Sequence, residues 1–545
     1  MAPVPNEEEL RLAPLALATS HVAAAAYLTY KVGRSLWKSH KALSPAQDTR
    51  HRVAQRSKLT TTFASLAALG LVFAVTSGYE YLKISYRAWA YDRGIEVPDS
   101  PFSTSPSGGA NGANATQWHL RQWLSDTPIY FDALEILAEK SRRLWWGQQL
   151  DLATISWTTL LAIEGRRRNI PYLWAYALLA HLVSLSFAQN LFYVALVLTP
   201  SPIPTQKSTF LDRFFAPKPN TWLPKPSVAI SSLVLNYAVA LWLPYAAGTS
   251  SFPVAATLAK LLSFAPLALN TVAPHSWGTV HRAPDSSYPV ITKIFQLIST
   301  ASALLHAKNS LAGLFYNLPE SHKHRHSIKI LFDTEKLSKW ERSATSIEKV
   351  LGSINDHPAV TAAGKDVLLC ALSLGLWAAV RAMDVGNMLR SATPLYKSTR
   401  PTPIHSRESS APPESEVHSE KQSSDHLDGT SLNLRRSGRR TRGTVDSLDS
   451  NGTASYDEAQ MSKRRGRLRK GKNGSEASPD VESRLDVDNA AYKPTVAEKE
   501  CTNVGDVIPD DDFDWESASL AWVLTVMGGL GTGTAAVFGG ECISR

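Results

Sequence analysis

Blocks of apolar residues about as long as a bilayer is thick alternate with short basic stretches from the start of the chain to about residue 390. A membrane-crossing helix needs about 20 mostly apolar residues, because each residue rises 1.5 Å through a hydrocarbon core about 30 Å thick. Residues 14–30, 60–82, 148–164, 171–198, 227–247, 252–273 and 366–383 meet that requirement. Two further blocks are interrupted: 290–316 carries Lys293 and Lys308, and 517–538 carries Gly528, Gly529, Gly531 and Gly533. The pattern predicts an all-α fold, a polytopic transmembrane helix bundle of about eight or nine helices with a long disordered polar tail. The expected order is a signal-anchor helix and basic cytosolic loop (1–58), then a bundle (59–318) containing a lumenal loop (83–147). A basic cytosolic loop (319–365), a further helix (366–389), a disordered linker (390–512) and a Gly-rich transmembrane or re-entrant segment (513–545) follow.

Charge orients this arrangement. Glu7, Glu8 and Glu9 stand where a cleavable signal peptide would be basic, so the first block is expected to stay as a signal anchor. Lys31, Arg34, Lys38, Lys41, Arg50, Arg52, Arg56 and Lys58 follow it against Asp48 alone, an excess that belongs in the cytosol. Alternation then puts Arg166, Arg167 and Arg168 in the cytosol, and Asn114, in the sequon Asn-Ala-Thr, in the lumen where it can be glycosylated. Residues 118–146 read as an amphipathic interfacial helix or as a soluble hairpin packed on the lumenal face. If 290–316 crosses, the basic loop 320–342 is cytosolic and the tail lumenal, with Asn451 and Asn473 available for glycosylation; if it does not, the tail is cytosolic.

Composition narrows the classes further. Of 545 residues 44% are hydrophobic, yet so unevenly distributed that a single soluble enzyme is excluded. The cysteines Cys370, Cys501 and Cys542, odd in number and without repeated spacing, exclude a disulfide scaffold. The net charge of +9 includes two knots in the polar tail, Arg435 to Arg442 and Lys463 to Lys472. These suit anionic lipid, nucleic acid or an import receptor, or else a solvated linker without a partner. His322, His324 and His326 read as a solvated basic face rather than a metal site. No phosphate-binding loop, zinc-hydrolase motif, nucleophile elbow or dinucleotide fingerprint occurs, and no cofactor is expected.

Polar residues inside the spans are the candidate chemistry, since ionisable groups in hydrocarbon are costly. Glu80 and Asp151 fall near the same end of their spans, and His181, Gln189, Asn190 and Asn236 lie in neighbouring ones. They are expected to line a lumen-facing pocket in which one carboxylic acid keeps its proton and acts as a general acid. The alternative is structural: the amides bond across helices and the two carboxylates sit among headgroups.

Leu144-Trp145-Trp146, the run Glu164-Gly165-Arg166-Arg167-Arg168 with Pro171, Ser186 through Phe192, and His357-Pro358-Ala359-Val360 resemble segments of multi-pass integral membrane proteins of filamentous fungi. That group has the general build of membrane terpene cyclases of meroterpenoid pathways. The resemblance implies an endomembrane enzyme of secondary metabolism acting on a prenyl or lipid-like substrate in the bilayer, with the endoplasmic reticulum as the expected compartment. The residues leave two other readings open. One is a metabolite transporter or accessory membrane protein, and the other is an organellar or nuclear-envelope scaffold that acts through its basic tail.

Overall fold

The computed structural model describes residues 12–41, 50–95, 97, 119–199, 218–219, 221–281, 284–319, 322–324, 334–336, 338–396 and 513–543. The basic knots, Asn451 and Asn473, like Asn114, lie outside the described residues.

The architecture is all-α. Among the described residues, five helices are long and apolar enough to cross a membrane: α1 (Leu12–Lys41), α2 (Arg50–Asp92), α8 (Pro226–Ala246), α11 (Tyr288–Tyr316) and α13 (Pro358–Val380). A sixth candidate is α9 (Phe252–Ser263) with α10 (Ala265–Val272), bent by 60° where Pro266 enters the second helix. The short helices are α3 (Leu120–Asp126), α4 (Ile129–Glu139), α12 (Lys339–Gly352) and α14 (Val385–Ala392). Lys293 and Lys308 do not interrupt α11: Lys308 lies over the Tyr245 ring at 4.8 Å, and its long stem carries the charge outward. α13 begins at Pro358 rather than Asp366, because the His357 side chain caps its first turn.

At the centre stands α5 (Ser141–Leu160), continued by a π-turn over Leu161–Gly165. Every residue from Leu152 to Leu160 is buried. It tolerates Thr154, Ser156, Thr158 and Thr159 there because each hydroxyl returns to a carbonyl of its own helix three or four residues back. Protein covers this stretch on every side, so its sequence need not be apolar.

The block 171–198, expected as one span, is two helices, α6 (Leu173–Leu182) and α7 (Leu185–Leu198). At 1.5 Å per residue they are about 15 and 21 Å long, each short of a bilayer. The break is built in: Ser184 is extended, and its side chain accepts the Phe187 N–H. α7 then returns to where α6 began, since Arg168 donates to the carbonyls of Leu196 and Thr199 at 2.6 and 3.0 Å. The Gly-rich block behaves alike. α15 (Trp515–Gly528) and α16 (Leu530–Ile543) fold back on each other at Gly529, whose φ of +80° is a left-handed geometry natural to glycine. Residues Leu530 to Ile543 are all buried, making α16 the second central helix.

The bundle therefore has two ends. One, the arginine end, holds Arg166 to Arg168, Arg381 and both ends of each folded-back pair. The other holds α3, α4 and α12, and there Arg142 at the start of α5 pairs with Asp356, just before α13, at 2.8 Å. Helix α11 runs the whole way between them, from Ser287 beside Arg167 to Leu314 beside Ser346 of α12. The loop after α11 nevertheless leaves from the end away from the arginines, and the chain past Tyr396 leaves from the arginine end. This corrects the expected alternation, in which a crossing 290–316 carried loop 320–342 to the side of Arg166 to Arg168 and the tail to the other. Because 171–198 turns back, every later segment changes side.

Candidate functional site

A cavity of about 320 Å³ lies in the half of the bundle away from the arginines. Its walls are α2, α5, α9 and α13, α4 covers it, and the break between α6 and α7 forms its floor. Alanine, leucine and phenylalanine side chains line most of it, with Asp151, Lys260, Asp366 and a few hydroxyls among them.

The floor is set by Asp366, whose two oxygens accept the backbone N–H groups of Leu185 and Ser186 at 2.9 and 2.8 Å. The first N–H groups of a helix have no partner within it and carry the positive end of its dipole, so a carboxylate there satisfies both demands. Gly70 of α2 permits the approach: a Cβ at that position would lie 2.9 Å from Ser186 Oγ and 3.1 Å from Phe187 N. On the wall, Lys260 Nζ donates to Asp151 Oδ1 at 2.7 Å, both side chains remaining partly exposed.

Of the six residues expected to share a pocket, Asp151 alone lines this cavity. Glu80 is on α2 but its side chain is 52% exposed and lies 3.9 Å from Lys83, so the expected pairing of Glu80 with Asp151 does not form. His181 Nε2 meets Ser263 Oγ at 2.8 Å, and that hydroxyl donates to the Lys260 carbonyl at 2.7 Å, which braces the turn bearing Lys260 from behind. Gln189 donates to Tyr193 Oη at 2.8 Å and across to Ser373 of α13 at 3.4 Å. Asn190 turns back to the Ser186 carbonyl at 2.8 Å, and Asn236 is buried on α8, outside the cavity lining. Gln189 thus fits the structural alternative of bonding between helices. Asp366 and Lys260 were missed by sequence reasoning. Their one signal was a charge inside an otherwise apolar block, and Asp366 stood at the expected start of a span instead of two turns inside it.

A second polar cluster closes the arginine end. Glu164, fully buried on the π-turn, accepts from Arg167 Nη1 at 2.9 Å, and Arg168 Nε lies 3.5 Å from its other oxygen. Glu541 of α16 sits 3.6 Å from Arg168 and 3.1 Å from Arg381. Arg167 also donates to the Cys542 carbonyl at 2.9 Å, and Arg166 to those of Trp222 and Pro219 at 3.0 and 2.8 Å. The three consecutive arginines therefore clamp three elements: α16, the end of α7, and β1 (Trp222–Pro224), which pairs antiparallel with β2 (Gly278–Val280). Buried charges of this kind are stable only when each has partners, and here carboxylates or carbonyls meet every guanidinium.

No protein-family model, curated protein or solved structure matches the chain.

Proposed function

We propose that this is a multi-pass membrane protein of an endomembrane, with the endoplasmic reticulum as the expected compartment, that carries a small lipid-like molecule through its central cavity. The observation that carries the reading is the floor of that cavity, a helix start held by the Asp366 carboxylate between two half-length helices. Non-helical backbone at membrane depth is tolerated only where protein buries it or where it lines a cavity. Broken helices meeting at a mid-bundle site are how many secondary transporters build a substrate site that can open to either side.

Acid-catalysed cyclisation draws less support. Asp366 accepts two N–H groups, Asp151 is tied to Lys260, and Glu80 points away, so that among the described residues each carboxyl group lining the cavity is already engaged. A scaffold acting through its tail requires no cavity. With the arginine end and the basic stretch after α1 in the cytosol, those two stretches obey the positive-inside rule while the basic loop after α11 does not, and the tail is cytosolic, where its basic knots can meet anionic lipid.

Thiol accessibility tests the carrier reading. In a Cys501→Ser background, with Cys370 and Cys542 buried, Ala74→Cys and Ala362→Cys place a thiol in the cavity wall. A carrier presents these thiols to an impermeant reagent from each side of the membrane in turn. Labelling from one side alone would reject carriage and return the cavity to an enzyme or receptor.

A further inference from the structure

Among the described residues, the cavity lining contains one serine hydroxyl that neither its own helix nor a neighbour engages. Ser77 of α2 is 4% exposed, lines the cavity, and its Oγ has no hydrogen-bond partner among the described residues. Serine and threonine in a helix ordinarily return the hydroxyl to the carbonyl three or four residues back, as the adjacent Thr76 does to Val72 at 2.9 Å. A buried hydroxyl left without a partner costs free energy, and a group that enters the cavity and bonds to it recovers that cost.

The charges of the same cavity are already balanced. Lys260 answers Asp151, and two N–H groups at the start of α7 answer Asp366. Bringing in a carboxylate would draw Lys260 away and strand Asp151, whereas an ammonium would do the reverse, and a partly buried charge stripped of its partner is expensive. A volume of about 320 Å³ is at the small end of ligand sites, and the walls are mostly hydrocarbon.

We propose that the cavity takes a small, mostly apolar molecule without net charge that ends in a hydroxyl or carbonyl group, and that Ser77 is the residue that bonds that group. This rests on the reading of the cavity as the substrate site, but not on movement across the membrane.

The test uses the full chain in lipid nanodiscs and three diazirine photoprobes with the same alkyl body: an alcohol, a carboxylate and an ammonium. Labelled peptides are located by mass spectrometry. The alcohol is expected to label the cavity-lining parts of α2 and α13 about 5-fold more than either charged probe. Ser77→Ala is expected to lower that labelling about 5-fold while the ligand-free protein unfolds at the same or a higher temperature, and Thr76→Ala leaves the labelling intact. Equal cavity labelling by a charged probe would overturn the charge argument, and unchanged labelling in Ser77→Ala would overturn the role of Ser77. Cavity labelling by the alcohol with thiols reachable from one side only would keep the ligand class and reject carriage, so the two readings fail separately.

Discussion

The carboxylate of Asp366 lies 2.9 Å from the backbone nitrogen of Leu185 and so caps a helix that begins 181 positions earlier in the chain. Removing it leaves two buried N–H groups at the start of α7 without an acceptor. Asp366→Ala should destabilise the protein by about 3 kcal/mol, since hydrogen bonds to a charged group contribute about 1.5–3 kcal/mol each. Asp366→Asn keeps one acceptor oxygen and should cost less than half as much. Thermal unfolding of the detergent-solubilised protein measures both, and an alanine variant as stable as the parent would remove Asp366 from the role of cap.

Lys260 and Asp151 form a pair that water reaches, with side chains 37% and 27% exposed. Their coupling is accordingly expected at about 0.5–1 kcal/mol, the range of solvent-accessible pairs. A double-mutant cycle with Asp151→Asn and Lys260→Met measures it. A coupling of several kcal/mol would mean that the cavity excludes water and that the pair is a buried one.

The His357 imidazole accepts the Ala359 N–H at 3.2 Å and begins α13. Burial, with Arg143 nearby, holds its pKa below the ordinary 6.5. In the unfolded chain the ring gains a proton more easily than in the folded one, so the cap contributes its stability above about pH 6.5 and loses it as pH falls through the lowered folded value. His357→Asn, which caps without titrating, should flatten the unfolding temperature across that window. A parent profile as flat as the variant's would contradict the capping role.

Both stretches that flank Asn114 are anchored at the end away from the arginines, and Tyr396 and Phe513 at the arginine end. Asn114 and the tail sequons should therefore never be glycosylated on the same molecule. With the basic end cytosolic, Asn114→Gln abolishes the glycosidase-sensitive mobility shift, and Asn451→Gln and Asn473→Gln leave it unchanged. A tag inserted near Ser450 should be open to protease in sealed microsomes. Loss of the shift from the tail variants with Asn114 untouched would show that the bundle is inserted the other way round.

The parts of the fold legible in the sequence are those that present hydrocarbon outward. Val72 and Val75 of α2 and Leu304 and Leu311 of α11 are exposed on the bundle surface, where a hydropathy pattern has a physical cause. Azimuth around a helix was not legible: Tyr81 lines the cavity while Glu80, about 100° around the same helix, faces away. The break at Val183 and Ser184 interrupts no apolar pattern, and its cap from Asp366 is distant in the chain. Lys260 and Asp151, 109 positions apart, likewise meet only through the packing of α9 on α5.

Helix α16 occupies the middle of the bundle, yet the ribosome makes it after every other described helix. Roughly 120 residues separate it and its partner helix from Ala392, a delay on the order of ten seconds at about 5–20 residues per second. Throughout that interval the nascent bundle holds an open slot lined by Leu152, Ser302 and Arg168, groups that α16 is destined to cover. A premature stop anywhere in the tail therefore produces a hollow protein rather than a shortened one, with Arg168 and Arg381 deprived of Glu541 and its interior open to degradation.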